Sequence, residues 1–264
     1  MLAKHAWRRN PGRKCVLLAI SGLILGSMVA GRLRSGMLAE SAQQPISRYV
    51  VRKISSPIKI DGVLDEATWK AAKSTGPFRL NEGTGLPKSR AEAKIVWDDD
   101  YLYVAFDCQD TDIVAKMKKR DEHLWEEEVV EIFIDPDGDG SNYLELEVNP
   151  LGTFLDIFIL KPVVPIPYES YNIPAKWAVK VDGTVNNSSD RDRGWVTEVA
   201  IPLQEAVTAP NMPPKEGDRW RLGLYRIERR PQEEFQAWSP TLKPSYHTPS
   251  RFGEITFSMS KAGE

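Results

Sequence analysis

Trp125-Glu126-Glu127-Glu128-Val129-Val130-Glu131-Ile132-Phe133-Ile134-Asp135 is the stretch whose reading decides the fold. Val130, Ile132 and Ile134 alternate with Glu131 and Phe133, the period of a strand with one face turned to a core. Asp135-Pro136-Asp137-Gly138-Asp139-Gly140 supplies turn residues, after which Leu144, Leu146 and Val148 alternate with Glu145, Glu147 and Asn149. Two antiparallel strands follow, and strict alternation places Glu131, Glu147 and Asn149 on the face opposite the core. Trp125 stands at the mouth of this polar, partly aromatic face. An indole offers a flat surface on which a pyranose ring can stack, and a nearby carboxylate can accept hydroxyl hydrogen bonds. The strand therefore reads as sugar-facing.

Working outward, the pattern stays close to period two. Ala91, Ala93, Ile95 and Trp97 share a face, Asp98-Asp99-Asp100 turns the chain, and Leu102, Val104 and Phe106 point inward on the returning strand, with Cys108 continuing their face as a buried, inert thiol. Further strands are expected near Thr153–Ile159, Lys176–Asp182, Trp195–Ile201, Arg219–Ile227, Phe235–Trp238 and Gly253–Phe257. Pro162 to Pro174, rich in proline, reads as a long surface loop. Asp65 suits an N-cap for one or two helical turns ending near Ala72, pinned by Trp69. Ten or eleven short strands with one short helix near the start predict an all-β, two-sheet β-sandwich of jelly-roll type. Trp69, Trp97, Trp177, Trp195 and Trp220 fall in registers that read as core, while the register of Trp238 is undecided.

The first forty-odd residues are unlike the rest. Lys4, Arg8, Arg9, Arg13 and Lys14 form a basic start with no acid, followed by the apolar run Val16 to Ala30. Residues 1–42 are expected to be an export signal or an N-terminal membrane anchor plus linker, and residues 47–259 the folded domain. Setting 1–42 aside removes seven bases but only Glu40 among the acids, which takes the net charge from −2 to about −8. Such a domain has no net pull on phosphate backbones, so nucleic acid is not an expected partner. Cys108 then stands alone, so packing, not a disulfide, must hold the core.

Four motifs in order carry a resemblance: Ile60-Asp61-Gly62-x-x-Asp65-Glu66-x-x-Trp69, Val96-Trp97-Asp98-x-x-Tyr101-Leu102-Tyr103-Val104, the Trp125–Asp135 block, and Pro249-Ser250-Arg251-Phe252-Gly253-x-Ile255. Together they resemble the family 9 carbohydrate-binding modules and their DOMON-like relatives. The resemblance implies a β-sandwich in which two aromatic side chains, here Trp125 and Tyr246, sandwich a terminal sugar. It also implies that Glu131 and Asn149 orient hydroxyls. Two positions depart from the family pattern: Glu147 stands where an arginine is usual, and Lys243 near an amide-bearing position. The expectation is an exported, non-catalytic module that binds the end of a glycan chain and serves a partner glycoside hydrolase. The alternative is a structural or interaction domain that has lost sugar binding.

Other chemistries were weighed. Asp135, Asp137 and Asp139 with Gly140 at the sixth position start as calcium loops do, but Leu146 occupies the twelfth, so a hairpin turn competes with a structural calcium site. Glu126, Glu127, Glu128 and Glu131 could supply a glycosidase pair, yet a glutamate run at a strand mouth is usually a solvated face. Neither His123 nor His247 sits in a nucleophile motif. Met117, His123 and Met212 are candidate ligands for a haem-binding relative.

Overall fold

A strand buries one face cheaply, so the chain must fold its strands over each other. In the computed structural model, which describes residues 44–56, 58–161 and 171–261, it does so with one curled sheet. The expected export segment (1–42) and most of the Pro162–Pro174 loop lie outside the described residues. The strands are β1 (Arg48–Lys53), β2 (Arg79–Leu80), β3 (Ala91–Trp97), β4 (Tyr101–Gln109), β5 (Val129–Asp135), β6 (Tyr143–Val148), β7 (Phe154–Ile159), β8 (Lys176–Asp182), β9 (Gly194–Pro202), β10 (Arg219–Glu228), β11 (Glu234–Ala237) and β12 (Gly253–Lys261). Their order is β7-β6-β5-β10-β12-β1-β3-β4-β9-β8, with β11 pairing β10 and carrying β2.

Most pairs are antiparallel, but β1 runs parallel to both β12 and β3. That seam joins the two halves of the sandwich into one hydrogen-bonded sheet. Val130, Ile132 and Ile134 from β5, Leu144, Leu146 and Val148 from β6, and Leu222 and Leu224 from β10 meet Ile95, Trp97, Leu102, Val104, Phe106, Cys108, Val199 and Ile201 from the other half in one core. The all-β sandwich and the apolar registers read from the sequence hold. Each such side chain contributes about 2 kcal/mol on removal from water.

Both outer faces are covered too. Over the β3–β4–β9 half, Trp69, Ile54 and Ile58 pack on Val96, Tyr103 and Ala200. The helix α1 is a single turn, Ala67–Ala71, whose N-cap is Glu66 with no side-chain bond, so the expected capping by Asp65 does not occur. What holds this segment is Glu198 on β9. Its carboxylate accepts from Asp61 N at 2.9 Å, Gly62 N at 2.6 Å and Trp69 Nε1 at 2.6 Å. Gly62 has φ +80°, and a Cβ there would meet the backbone of Lys180 at 2.8 Å. The Ile60-Asp61-Gly62 and Trp69 motif is thus a structural anchor.

Trp177 departs from the core reading. On the edge strand β8 it is only partly buried, stacked on Phe154 at 4.2 Å with the Arg120 guanidinium 5.7 Å from its ring. Trp238, undecided from the sequence, is buried. β1 and β2, which carry little apolar alternation, bring the described strands above the expected ten or eleven.

Glu198→Ala would strand three donors that share one carboxylate, two of them buried. Urea unfolding is expected to show a loss of about 3 kcal/mol. A loss below about 0.5 kcal/mol would show that the anchor does not support the fold.

Candidate functional site

On the outer face of the other half, register decides which side chains meet. Glu131 pairs across to Glu147 on β6 and to Tyr225 on β10, and Phe133 pairs to Glu145 and Gly223. Gly223 leaves the room that the Tyr225 ring occupies, since a Cβ there would lie 2.5 Å from that ring. Leu155, Ile157 and Ile159 of β7 continue this layer, so an apolar cluster lies outside the sheet as well as inside it. In it a cavity of about 330 Å³ opens. Its walls are Trp125, Phe235, Pro244, Tyr246 and His247, with Glu131, Phe133, Glu145, Ile157, Ile159 and Ile227 also lining it. That volume sits at the small end of ligand pockets.

Trp125 lies on one 3₁₀ turn, Leu124–Glu126, and is partly buried. Its ring stacks on the His123 imidazole at 4.5 Å and 18°, and its carbonyl accepts from Arg229 Nη2 at 2.8 Å. Tyr246 is 9% exposed. One ring face lies on Tyr225 at 4.1 Å and 12°, and its hydroxyl reaches the carbonyls of Arg226 and Gln236 at 3.1 and 3.3 Å. It is therefore a fixed wall of the cavity and not an exposed loop residue.

The floor is acidic. Glu131, Glu145 and Glu147 each place a carboxylate atom within 4.8 Å of the others, all buried. Burial pushes Glu131 well above the usual carboxylate range, and the neighbouring Glu145 adds to the shift. Burial, then the charges of Glu131 and Glu145, does the same to Glu147. Glu145 is pushed up to about 7 by burial, against a hydrogen bond from Glu147 that pulls it down. Burial therefore favours the protonated form of Glu147. His247 Nδ1 lies 2.8 Å from the Tyr143 hydroxyl, and its Nε2 lies 3.7 Å from Glu145. Burial lowers the imidazole to about 4, so it is neutral at pH 7. The direction of the Tyr143 bond follows the imidazole tautomer, which sets whether Nε2 carries a proton toward Glu145.

Of the residues expected at a binding site, Trp125, Glu131 and Tyr246 line this one cavity. Glu147 lies beneath it, fully buried. Asn149 shares the face, as alternation required, but is committed to structure: its amide donates to Met117 O and Glu127 Oε1, and its Oδ1 accepts from Leu151 N and Thr153 N. Lys243 is exposed and outside the lining, with its backbone tied to Asn81 and Thr241. Reasoning from sequence missed Glu145, Phe235, Pro244 and His247. Glu145 was readable, being two residues before Glu147 on the same face. The glutamate run is solvated only in part: Glu126 is exposed, but its two neighbours are not free. Glu127 accepts from Lys116 N and Met117 N, and Glu128 is buried against Asp110 and Glu228, pushed up to about 10 by burial and those charges.

The calcium reading can be tested for fit. Asp135, Asp137 and Asp139 bring ligand atoms within 4.8 Å, but Asp135 is spent on Gly138 N and Gly140 N, each at 3.0 Å, and Asp139 on Ser141 N at 2.7 Å. Three partly committed donors fall short of the six to eight oxygens calcium takes. Of the haem candidates, His123 is stacked on Trp125 and Met212 is surface-exposed.

Comparison with known proteins follows the same outline. Residues 60–155 match the family model described as carbohydrate family 9 binding domain-like. An extracellular protein of Arthroderma benhamiae is 25% identical over 186 residues, covering 65% of this chain and 80% of the relative. The endo-1,4-beta-xylanase A of Thermotoga maritima is 30% identical over 93 residues, 35% of this chain but only 8% of the enzyme. A family 9 carbohydrate-binding module from Caldicellulosiruptor kristjanssonii, solved with cellotriose, superposes with a TM-score of 0.57 at 18% identity, covering 80% of this chain and 94% of that one. The resemblance read from the motifs is borne out by the family match over residues 60–155, and the superposition bears out the fold.

Stability should carry the signature of the buried acids. Unfolded glutamates titrate near pH 4.3, so folding takes up protons wherever the folded pKa is raised. That contribution is complete below about pH 4 and fades as pH rises through about 7, where Glu145 ionises. Urea unfolding is therefore expected to show lower stability at pH 8 than at pH 5, with Glu147→Gln regaining about 1 kcal/mol or more at pH 8. Stability that climbs from pH 5 to pH 8 would contradict the raised pKa values.

Proposed function

We propose that this chain, matched over residues 60–155 to the carbohydrate family 9 binding domains, is an exported, non-catalytic module that holds a glycan end between Trp125 and Tyr246. The observation that carries the reading is the meeting of these two rings, more than a hundred residues apart in sequence, in one cavity with Glu131. A pyranose presents axial C–H groups to an aromatic face and hydroxyls at its edge. Trp125, Tyr246 and Phe235 suit the first, and Glu131 and Glu145 the second. Glycosidases need two carboxyls with room for a bond or a water between them. Here the three acids crowd within 4.8 Å of one another and burial raises the pKa of each, which supports a binding role.

Export is supported by the basic start and apolar run of residues 1–42 and by the extracellular relative. Service to a glycoside hydrolase is supported by the xylanase segment that this chain resembles. The same N-terminal run is our basis for a membrane tether as the alternative to cleavage. Calcium at Asp135, Asp137 and Asp139 would add to the hairpin and not to the ligand site.

Isothermal titration against cello- and xylo-oligosaccharides tests the reading. Trp125→Ala is expected to weaken binding about tenfold, the value of one stacked ring with its buried area. Unchanged affinity in both Trp125→Ala and Tyr246→Phe/Trp125→Ala would move the ligand elsewhere. No binding by the unaltered protein would favour the structural-domain alternative.

A further inference from the structure

The cleft has an electrostatic peculiarity. Three carboxyl groups form its floor, and among the described residues no lysine or arginine ion-pairs with them. Their charged and titratable neighbours include Tyr246, which acts on Glu131 across the cavity wall with its hydroxyl bonded to backbone carbonyls. Arg229 acts on Glu131 from a distance but is paired with Glu233 and bonded to the Trp125 carbonyl. His247 faces Glu145 as a neutral ring, and Tyr143 is engaged with that ring. Tyr225 lies beside Glu131 across the strand pair.

A second observation is independent of the acids. The Tyr225 hydroxyl, wholly buried on the residue opposite Glu131 but outside the cavity lining, makes no hydrogen bond among the described residues. Glu131 Oε1 accepts none either, although Glu131 is 2% exposed and lines the cavity. Buried polar atoms are almost always satisfied, so Glu131 Oε1, unsatisfied at the cavity wall, awaits a partner. That partner must bring donors to Glu131 and Glu145 while presenting apolar surface to Ile157, Ile159 and Ile227. An ammonium has three donors and no acceptor, and aromatic walls attract it further. A bare divalent ion would face hydrocarbon on most sides and lack the oxygens it requires.

We propose that the cleft selects a sugar bearing a free amine, with the ammonium entering between Trp125 and Tyr246 and donating to Glu131 and Glu145. This rests on the glycan-binding reading and narrows it to amino sugars. Binding would favour the ionised form of Glu145, so the preference weakens as pH falls below about 7.

Titration calorimetry with glucosamine, N-acetylglucosamine and glucose at pH 7.5 and 5.5 tests it. The expected result at pH 7.5 is glucosamine bound about tenfold more tightly than either neutral sugar, a charge-assisted bond's worth. The ratio of glucosamine to glucose affinity should shrink at pH 5.5. In Glu145→Gln at pH 7.5 that ratio should fall toward one. The unaltered protein alone decides if the variant misfolds. Equal binding of glucosamine and glucose at pH 7.5 would overturn the amine preference and leave glycan binding standing, whereas no binding of any sugar would overturn both.

Discussion

The layer formed by β5, β6 and β10 is buried on both faces, and this constraint shapes the rest of the molecule. Its inner face meets the opposite half of the curled sheet through Val130, Ile132, Leu146 and Leu222. Its outer face carries Glu131, Glu145 and Glu147, and no exposed strand would object to them. Here they are roofed by β11, by the Trp125 turn and by the segment ahead of β12. An isolated buried carboxylate costs several kcal/mol. Burial and mutual repulsion accordingly raise their pKa values, which favours the uncharged forms. Polar positions that would ordinarily mark a solvated face thereby become the floor of a cavity.

Much of the fold was legible in the sequence because sheet side chains alternate without exception. The β5–β6 hairpin, the β3–β4 hairpin and the core membership of Cys108 follow from period two and turn residues. Alternation tells which face a residue takes but not what covers that face. Asn149 was placed on the correct side, yet its amide closes a loop against Met117 and Glu127. Glu128 looked like one member of a solvated run, yet Asp110 and Glu228, brought by β4 and β10, bury it. Neither contact has a local signature. Trp125 and Tyr246 could be paired only through family resemblance, since what joins them is the sheet topology.

The physical link between the two aromatic walls is β10. Tyr246 stacks on Tyr225 and bonds the carbonyl of Arg226. Trp125 is held through its own carbonyl by Arg229, just past the end of the same strand. Arg226 is in turn locked in place: buried, it pairs with Asp110 at 3.0 Å and with Glu228, and donates to Gln109 O at 2.7 Å. Glu228 accepts from the backbone of Arg229 and Arg230 at 3.1 and 3.2 Å, fixing the turn from which the Arg229 side chain reaches Trp125. Two clusters of acids therefore have different work. The one around Arg226 holds a paired cation and sets the backbone, while the one at Glu131 lacks a paired lysine or arginine among the described residues and faces the cavity. The anchors of the two walls stand three residues apart along an extended chain, about 10 Å. Both walls are therefore anchored on β10 or just past its end, although the loops that supply their aromatics are far apart in sequence.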